Sequence, residues 1–197
     1  MAARTAAIGF SSHSGWAAMV VVAGTARAPA VLGRSRVTLT DEQDPESKQP
    51  YHAVEFLCVE EATGRLDGYL EVARNMASAA LQAQRAELKR QGISVRSVGI
   101  IESSGRKRIS LSSILASHAL IHAAEGDHFR NALSAAAELL RLRVCRVRAR
   151  DVETFAIEQL RLPPDRAIER INKLGRDLGP PWGADQKKAA LLAWALL

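Results

Sequence analysis

The chain has 197 residues, 47% hydrophobic and 24% charged, with a net charge of +6 and a pI near 9.8. That length suits one domain with a substantial core, read here as a single unit over 1–197. No apolar run reaches the roughly 18 residues of a membrane span, which excludes an integral helical membrane protein. MAARTAAIGF is too short in its apolar part for a signal peptide, so a cytoplasmic location is expected. Cys58 and Cys145 match no metal or redox spacing and read as reduced core residues.

Taken in order, Thr5–Phe10 is a short apolar strand, Ser11–Gly15 a turn, and Trp16–Ala23 a second strand, together a hairpin. Ala30–Thr40 alternates loosely and makes a third strand. Asp41–Pro50 has no apolar residue and is a loop. Tyr51–Glu60 is ambiguous, with a short helix as one reading. Leu66–Gln91 carries Leu70, Ala73, Ala77, Leu81 and Leu88 on one stripe and stops at Gly92, as an amphipathic helix does. Ser94–Ile101 is a fourth strand, ending at Glu102. Ser103–Leu111 is a basic loop whose Arg106, Lys107 and Arg108 form the one concentrated cationic run. Ser112–Leu142 is one long helix, and Arg143–Arg148 a fifth strand. Helices over Asp151–Leu160, Pro164–Leu174 and Ala184–Leu197 follow, the last almost wholly apolar and therefore buried. In the GPPWG loop before it, Trp182 reads as a packing plug.

The helix Ser112–Leu142 is the unusual element. At about 100° per residue, His118, His122 and Glu125 lie within roughly 60° of one another. Leu115, Phe129, Leu133, Ala136 and Leu140 continue the same stripe. Two imidazoles and a carboxylate thus sit where the pattern asks for core residues. Buried polar groups need partners, so these three either bond to one another, bind a metal, or line a cleft. His at i and i+4 presents two nitrogens to one metal, and a Glu one turn on adds a third ligand or a general base. His52 and His128 read as surface histidines, and Asp127 as a solvated neighbour.

Three strands in a meander followed by alternation imply an α/β fold with a mixed five-stranded sheet, order 3-2-1-4-5, and helices on both faces. Ile8-Gly9-Phe10-Ser11-Ser12-His13-Ser14-Gly15-Trp16, Val98-Gly99-Ile100-Ile101-Glu102 and Asp185-Gln186-Lys187-Lys188-Ala189 resemble the first strand, fourth strand and last helix of the ribonuclease H-like superfamily. The layout is most similar to that of the RuvC-type Holliday-junction resolvases, in a divergent bacterial branch. The resemblance implies carboxylates gathered at one end of the sheet, holding divalent metals for phosphodiester hydrolysis. Glu102 and Asp185 match two of those acids, and Glu125 is a candidate third. Ser11 stands where the family has Asp.

Glu102, Glu125, Asp185 and His122 are candidate catalytic groups. His118, His122, Glu125 and His13 are candidate metal ligands. Arg106, Lys107 and Arg108 are candidate phosphate contacts. The metal is divalent, Mg²⁺ or Mn²⁺ with Zn²⁺ as an alternative. Nucleic acid is the expected partner, a homodimer is compatible, and a membrane is excluded. Three functions stay open: a divergent metal-dependent phosphodiesterase acting on structured nucleic acid, a non-catalytic binding or assembly module, and a His-based metal hydrolase unrelated to nucleic acid.

Overall fold

The computed structural model describes residues 4–103, 109–175 and 178–197. Its centre is a five-stranded sheet in the order β3-β2-β1-β4-β5, as expected. The strands are β1 (Arg4–His13), β2 (Trp16–Gly24), β3 (Pro29–Thr38), β4 (Ile93–Glu102) and β5 (Arg143–Arg148). The β1–β2 and β2–β3 pairs are antiparallel, and β1–β4 and β4–β5 are parallel. The sheet is therefore mixed, and β1 and β4 finish at the same rim.

The first hairpin differs from expectation in a way that matters below. β1 does not stop at Phe10 but continues to His13, and the turn is only Ser14-Gly15. The added pairs are Ser11 with Ala18, Ser12 with Ala17 and His13 with Trp16. Gly15 supplies the tight reversal at φ 80°. Strand alternation then sends Ser11 and His13 to one face and Ser12 to the other.

Helices cover both faces. On one, Ile8, Phe10, Met19, Val21, Val98 and Ile100 pack against α2 (Val59–Arg90) and α4 (His118–Leu139). On the other, Ala7, Val20, Val22 and Ile101 pack against α5 (Val152–Leu160), α6 (Pro164–Leu174) and α7 (Ala184–Ala195). Gly9 and Gly99 are paired across β1 and β4 and form the seat for α7. A Cβ on Gly9 would lie 1.9 Å from the Ala189 carbonyl oxygen, and one on Gly99 2.6 Å from Leu192 Cγ. Only hydrogen at these two sites lets α7 come down onto the strands.

The remaining helices correct the sequence reading in detail. Tyr51–Glu60 resolves into α1 (Pro50–Ala53) and the first residues of α2 (Val59–Arg90), which starts before Leu66. A 3-10 turn at Pro45–Lys48 interrupts the polar loop, with Asp44 accepting from the Glu46 N–H. The expected single helix Ser112–Leu142 is two, α3 (Leu111–Leu115) and α4 (His118–Leu139). Ser110 caps α3 through its hydroxyl, and Ser117 takes an extended conformation that breaks the helix. Cys58 is exposed ahead of α2 and Cys145 half-buried; both are free thiols.

Candidate functional site

The rim where β1 ends carries the first group. Ser11 and His13 face α7, whose first turn bears Asp185. A carboxylate there is favoured by the helix dipole. The Ser11 hydroxyl donates to Asp185 Oδ1 at 2.7 Å, and His13 Nε2 lies 3.1 Å from Oδ2. Both carboxylate oxygens are thus engaged. His13 also stacks on Trp16, its cross-strand partner, with ring centroids 4.3 Å apart. The Arg36 guanidinium lies 4.0 Å from the centre of the same indole. This order is serine–aspartate–histidine, with the acid in the middle. The imidazole does not reach the hydroxyl, so the trio lacks the nucleophile–base contact of acyl transfer.

Glu102 belongs to a different set. Val98 and Ile100 face α4 while Ile101 faces α7, so alternation turns Glu102 toward α4. There it accepts from Arg146 Nε at 2.5 Å, and Arg146 also donates to Asn131 of α4. Arg130, buried on α4, donates to Ser103 Oγ at 2.9 Å and to Asp127. This fixes the chain as it leaves β4. Glu102 and Asp185 therefore flank opposite faces of the sheet, each engaged by its own partners. Paired hard cations need several anionic oxygens converging on one point. Among the described residues Glu102, Glu125 and Asp185 each bond to different partners, and no hydrogen bond or ion pair joins them.

The histidines make the third group. His118 and His122 are exposed, not turned to the sheet as the stripe implied. The buried face of α4 runs through Ile121, Glu125, His128, Phe129 and Ala132. His122 lies roughly 90° from its centre, and His118 is the first helical residue. His52 of α1 completes a trio with them. The ligating atoms of His52, His118 and His122 all lie within 4.8 Å of one another. Ring centroids are 4.4 Å apart for His118–His122 and 4.9 Å for His52–His122. Behind them sits Glu125, 2% exposed. Its Oε1 accepts from the backbone N–H of Tyr51 at 2.9 Å and of His52 at 3.1 Å, and it lies 3.1 Å from His52 Nδ1. Burial raises the Glu125 carboxyl above its ordinary range, and the His52 and Tyr51 contacts pull part of that back.

Three placements depart from the sequence reading. His13 joins Asp185, not His118 and His122. His128 is buried, not at the surface, and desolvation lowers it to about 4. His52 is a cluster member. No helical periodicity links His52 to α4, because it sits on a separate element. Trp16 and Arg36 likewise carry no local signal; they join the site through cross-strand pairing, which requires the register. Trp182 does plug the fold, donating from Nε1 to the Ile171 carbonyl at 3.2 Å. Arg106, Lys107 and Arg108 lie outside the described residues.

No family model matches the sequence, and no curated protein matches it. Solved structures do resemble it. A Thermus thermophilus RuvC structure superposes with a TM-score of 0.52 at 14% identity, covering 96% of this chain and 92% of that one. T. thermophilus RuvC in complex with a Holliday junction substrate gives 0.53 at 14% identity, covering 97% and 91%. At that identity the likeness speaks to architecture, and with the strand order and the seat of α7 already in place, the chain has the RuvC-like, ribonuclease H-like fold.

Proposed function

We propose that this chain binds structured, branched nucleic acid on the rim formed by His13, Trp16, Arg36 and the start of α7, and does not cleave it with Mg²⁺. The observation that carries this reading is the state of the two acids. Asp185 is held by Ser11 and His13, and Glu102 by Arg146. The two acids thus have separate partners on opposite faces of the sheet. What remains on the rim is suited to recognition. Trp16 holds His13 on one side and Arg36 on the other, an aromatic and cationic stack at the rim, and Lys187 and Lys188 follow Asp185 on α7. Aromatic and guanidinium groups together serve exposed bases and phosphates. The net charge of +6 adds long-range attraction. The solved RuvC structure with a Holliday junction shows what this fold accommodates in another protein.

A second reading, slow metal-dependent hydrolysis, is favoured by the fold likeness itself. It requires Asp185 to leave Ser11 and His13 when substrate and metal arrive.

Fluorescence anisotropy with a four-way junction, a duplex and a single strand tests the first reading. The junction is expected to bind more tightly than the duplex, with affinity falling steeply as salt rises. Arg36→Glu is expected to weaken junction binding by roughly tenfold and to reduce the salt slope by about 1. No binding to any of the three at low salt would overturn the proposal. So would junction binding that Arg36→Glu and Trp16→Ala leave unchanged.

A further inference from the structure

We infer that His52, His118 and His122 form a binding site for one zinc-type divalent cation, at the same end of the sheet as the Asp185 rim but on the opposite face. The inference is independent of the nucleic-acid reading above. Three features carry it.

First, the ligand atoms converge. His118 and His122 are one helical turn apart on α4, and His52 comes across from α1, so that a donor atom of each lies within 4.8 Å of the other two. One ion at about 2.0–2.1 Å from each nitrogen sets them about 3.3 Å apart, a closing of up to about 1.5 Å that rotation of the two exposed imidazoles supplies.

Second, His52 is oriented for the role. Its Nδ1 faces Glu125 Oε1 at 3.1 Å, which leaves Nε2 for a metal. A carboxylate behind a ligating imidazole fixes its tautomer and raises its basicity. Glu125 is anchored in turn by the Tyr51 and His52 N–H groups.

Third, Glu125 has one oxygen left over. It is 2% exposed, and its Oε2 has no hydrogen-bond partner among the described residues. Its other oxygen meets His52 Nδ1, which ties this buried group to the histidine cluster.

The donor set decides the metal class. Three imidazole nitrogens suit Zn²⁺, Co²⁺ or Cu²⁺ and do not suit Mg²⁺, which prefers oxygen. Three protein ligands leave a fourth tetrahedral position, and the exposure of His118 and His122 opens it to solvent. The bound ion would also clip α1 to α4.

The test is titration of tag-free, chelator-treated chain with Co²⁺ and then Zn²⁺. Visible d–d absorption reports tetrahedral Co²⁺, and calorimetry reports Zn²⁺ affinity. The expected result is one ion per chain with micromolar or tighter affinity, and no competition from Mg²⁺. His52→Ala, His118→Ala and His122→Ala should each weaken binding by roughly a hundredfold or more, and Glu125→Gln by roughly 10–100-fold. His118 and His122 are exposed, so their variants should fold, which far-UV circular dichroism checks. They decide the matter if Glu125→Gln does not fold. The inference is overturned if the wild-type chain takes up neither ion. It is equally overturned if folded His118→Ala/His122→Ala double variant binds Zn²⁺ as tightly as wild type.

Discussion

Replacing Gly9 by alanine puts the packing account under its heaviest load. The new methyl would sit 1.9 Å from the Ala189 carbonyl oxygen. Ordinary contact begins near 3.4 Å, so α7 or β1 must shift by roughly 1.5 Å at that point. The obstacle is backbone, and no rotamer change relieves it. Ala189, Ala190, Leu192, Ala193 and Trp194 of α7 are all fully buried, so any shift opens contacts along the helix. Overpacking of a tight core costs about 1–3 kcal/mol, occasionally more, and this site belongs at or above the top of that range. Gly99→Ala is the control. Its methyl meets side-chain atoms, Leu192 Cγ at 2.6 Å, where Gly9 meets backbone, so a smaller loss of about 1–2 kcal/mol is expected. Urea denaturation of both variants, followed by circular dichroism, gives the numbers. The displaced helix should also pull Asp185 from Ser11 and His13. Gly9→Ala within about 0.5 kcal/mol of wild type, or less damaging than Gly99→Ala, would refute the claim that these glycines seat α7.

Ser11→Asp replaces a hydrogen bond to Asp185 with two facing carboxylates at a position only 9% exposed. It should cost roughly 2 kcal/mol without metal, and Mg²⁺ or Mn²⁺ should restore thermal stability in the variant but not in wild type; a metal-indifferent melting curve would count against the rim geometry. His128 titrates near 4 in the folded chain, against about 6.5 unfolded. Its folded pKa is depressed, so the unfolded state binds more protons between those values. The stability it preserves is present above about 6.5 and is lost as pH falls toward 4. From pH 7 to pH 5 the wild type should lose about 2 kcal/mol more than His128→Gln, read by denaturant titration at both pH values, and equal losses would show that His128 is not buried neutral.

The strand order was legible because the signals were coarse. The apolar strands, the polar stretch Asp41–Pro50 and Gly92 separate the elements clearly, and the meander-then-alternation pattern admits few topologies. The site was legible only in part. Ending β1 at Phe10 hid the alternation that brings Ser11 and His13 to Asp185, since pairing with β2, not local composition, extends the strand to His13. The stripe on α4 was centred on His118 and His122, whereas the sheet selects Ile121, Glu125 and His128. Glu125 is anomalous in the sequence pattern itself, but its partner His52 comes from another helix, and long-range contacts of that kind leave no periodicity. The orientation of Glu102 toward Arg146 depends on the register of β4 against β5, which composition does not encode.

The most direct measurement is a single-turnover time course on a four-way junction, with binding and strand integrity followed in the same tube, in Mg²⁺ and again in Mn²⁺. The proposed function requires the junction to be bound and to remain intact in Mg²⁺, with Asp185→Asn changing affinity at most. A junction that is bound and then cut in Mg²⁺, with cutting abolished by Asp185→Asn, would contradict it and establish the hydrolytic reading instead.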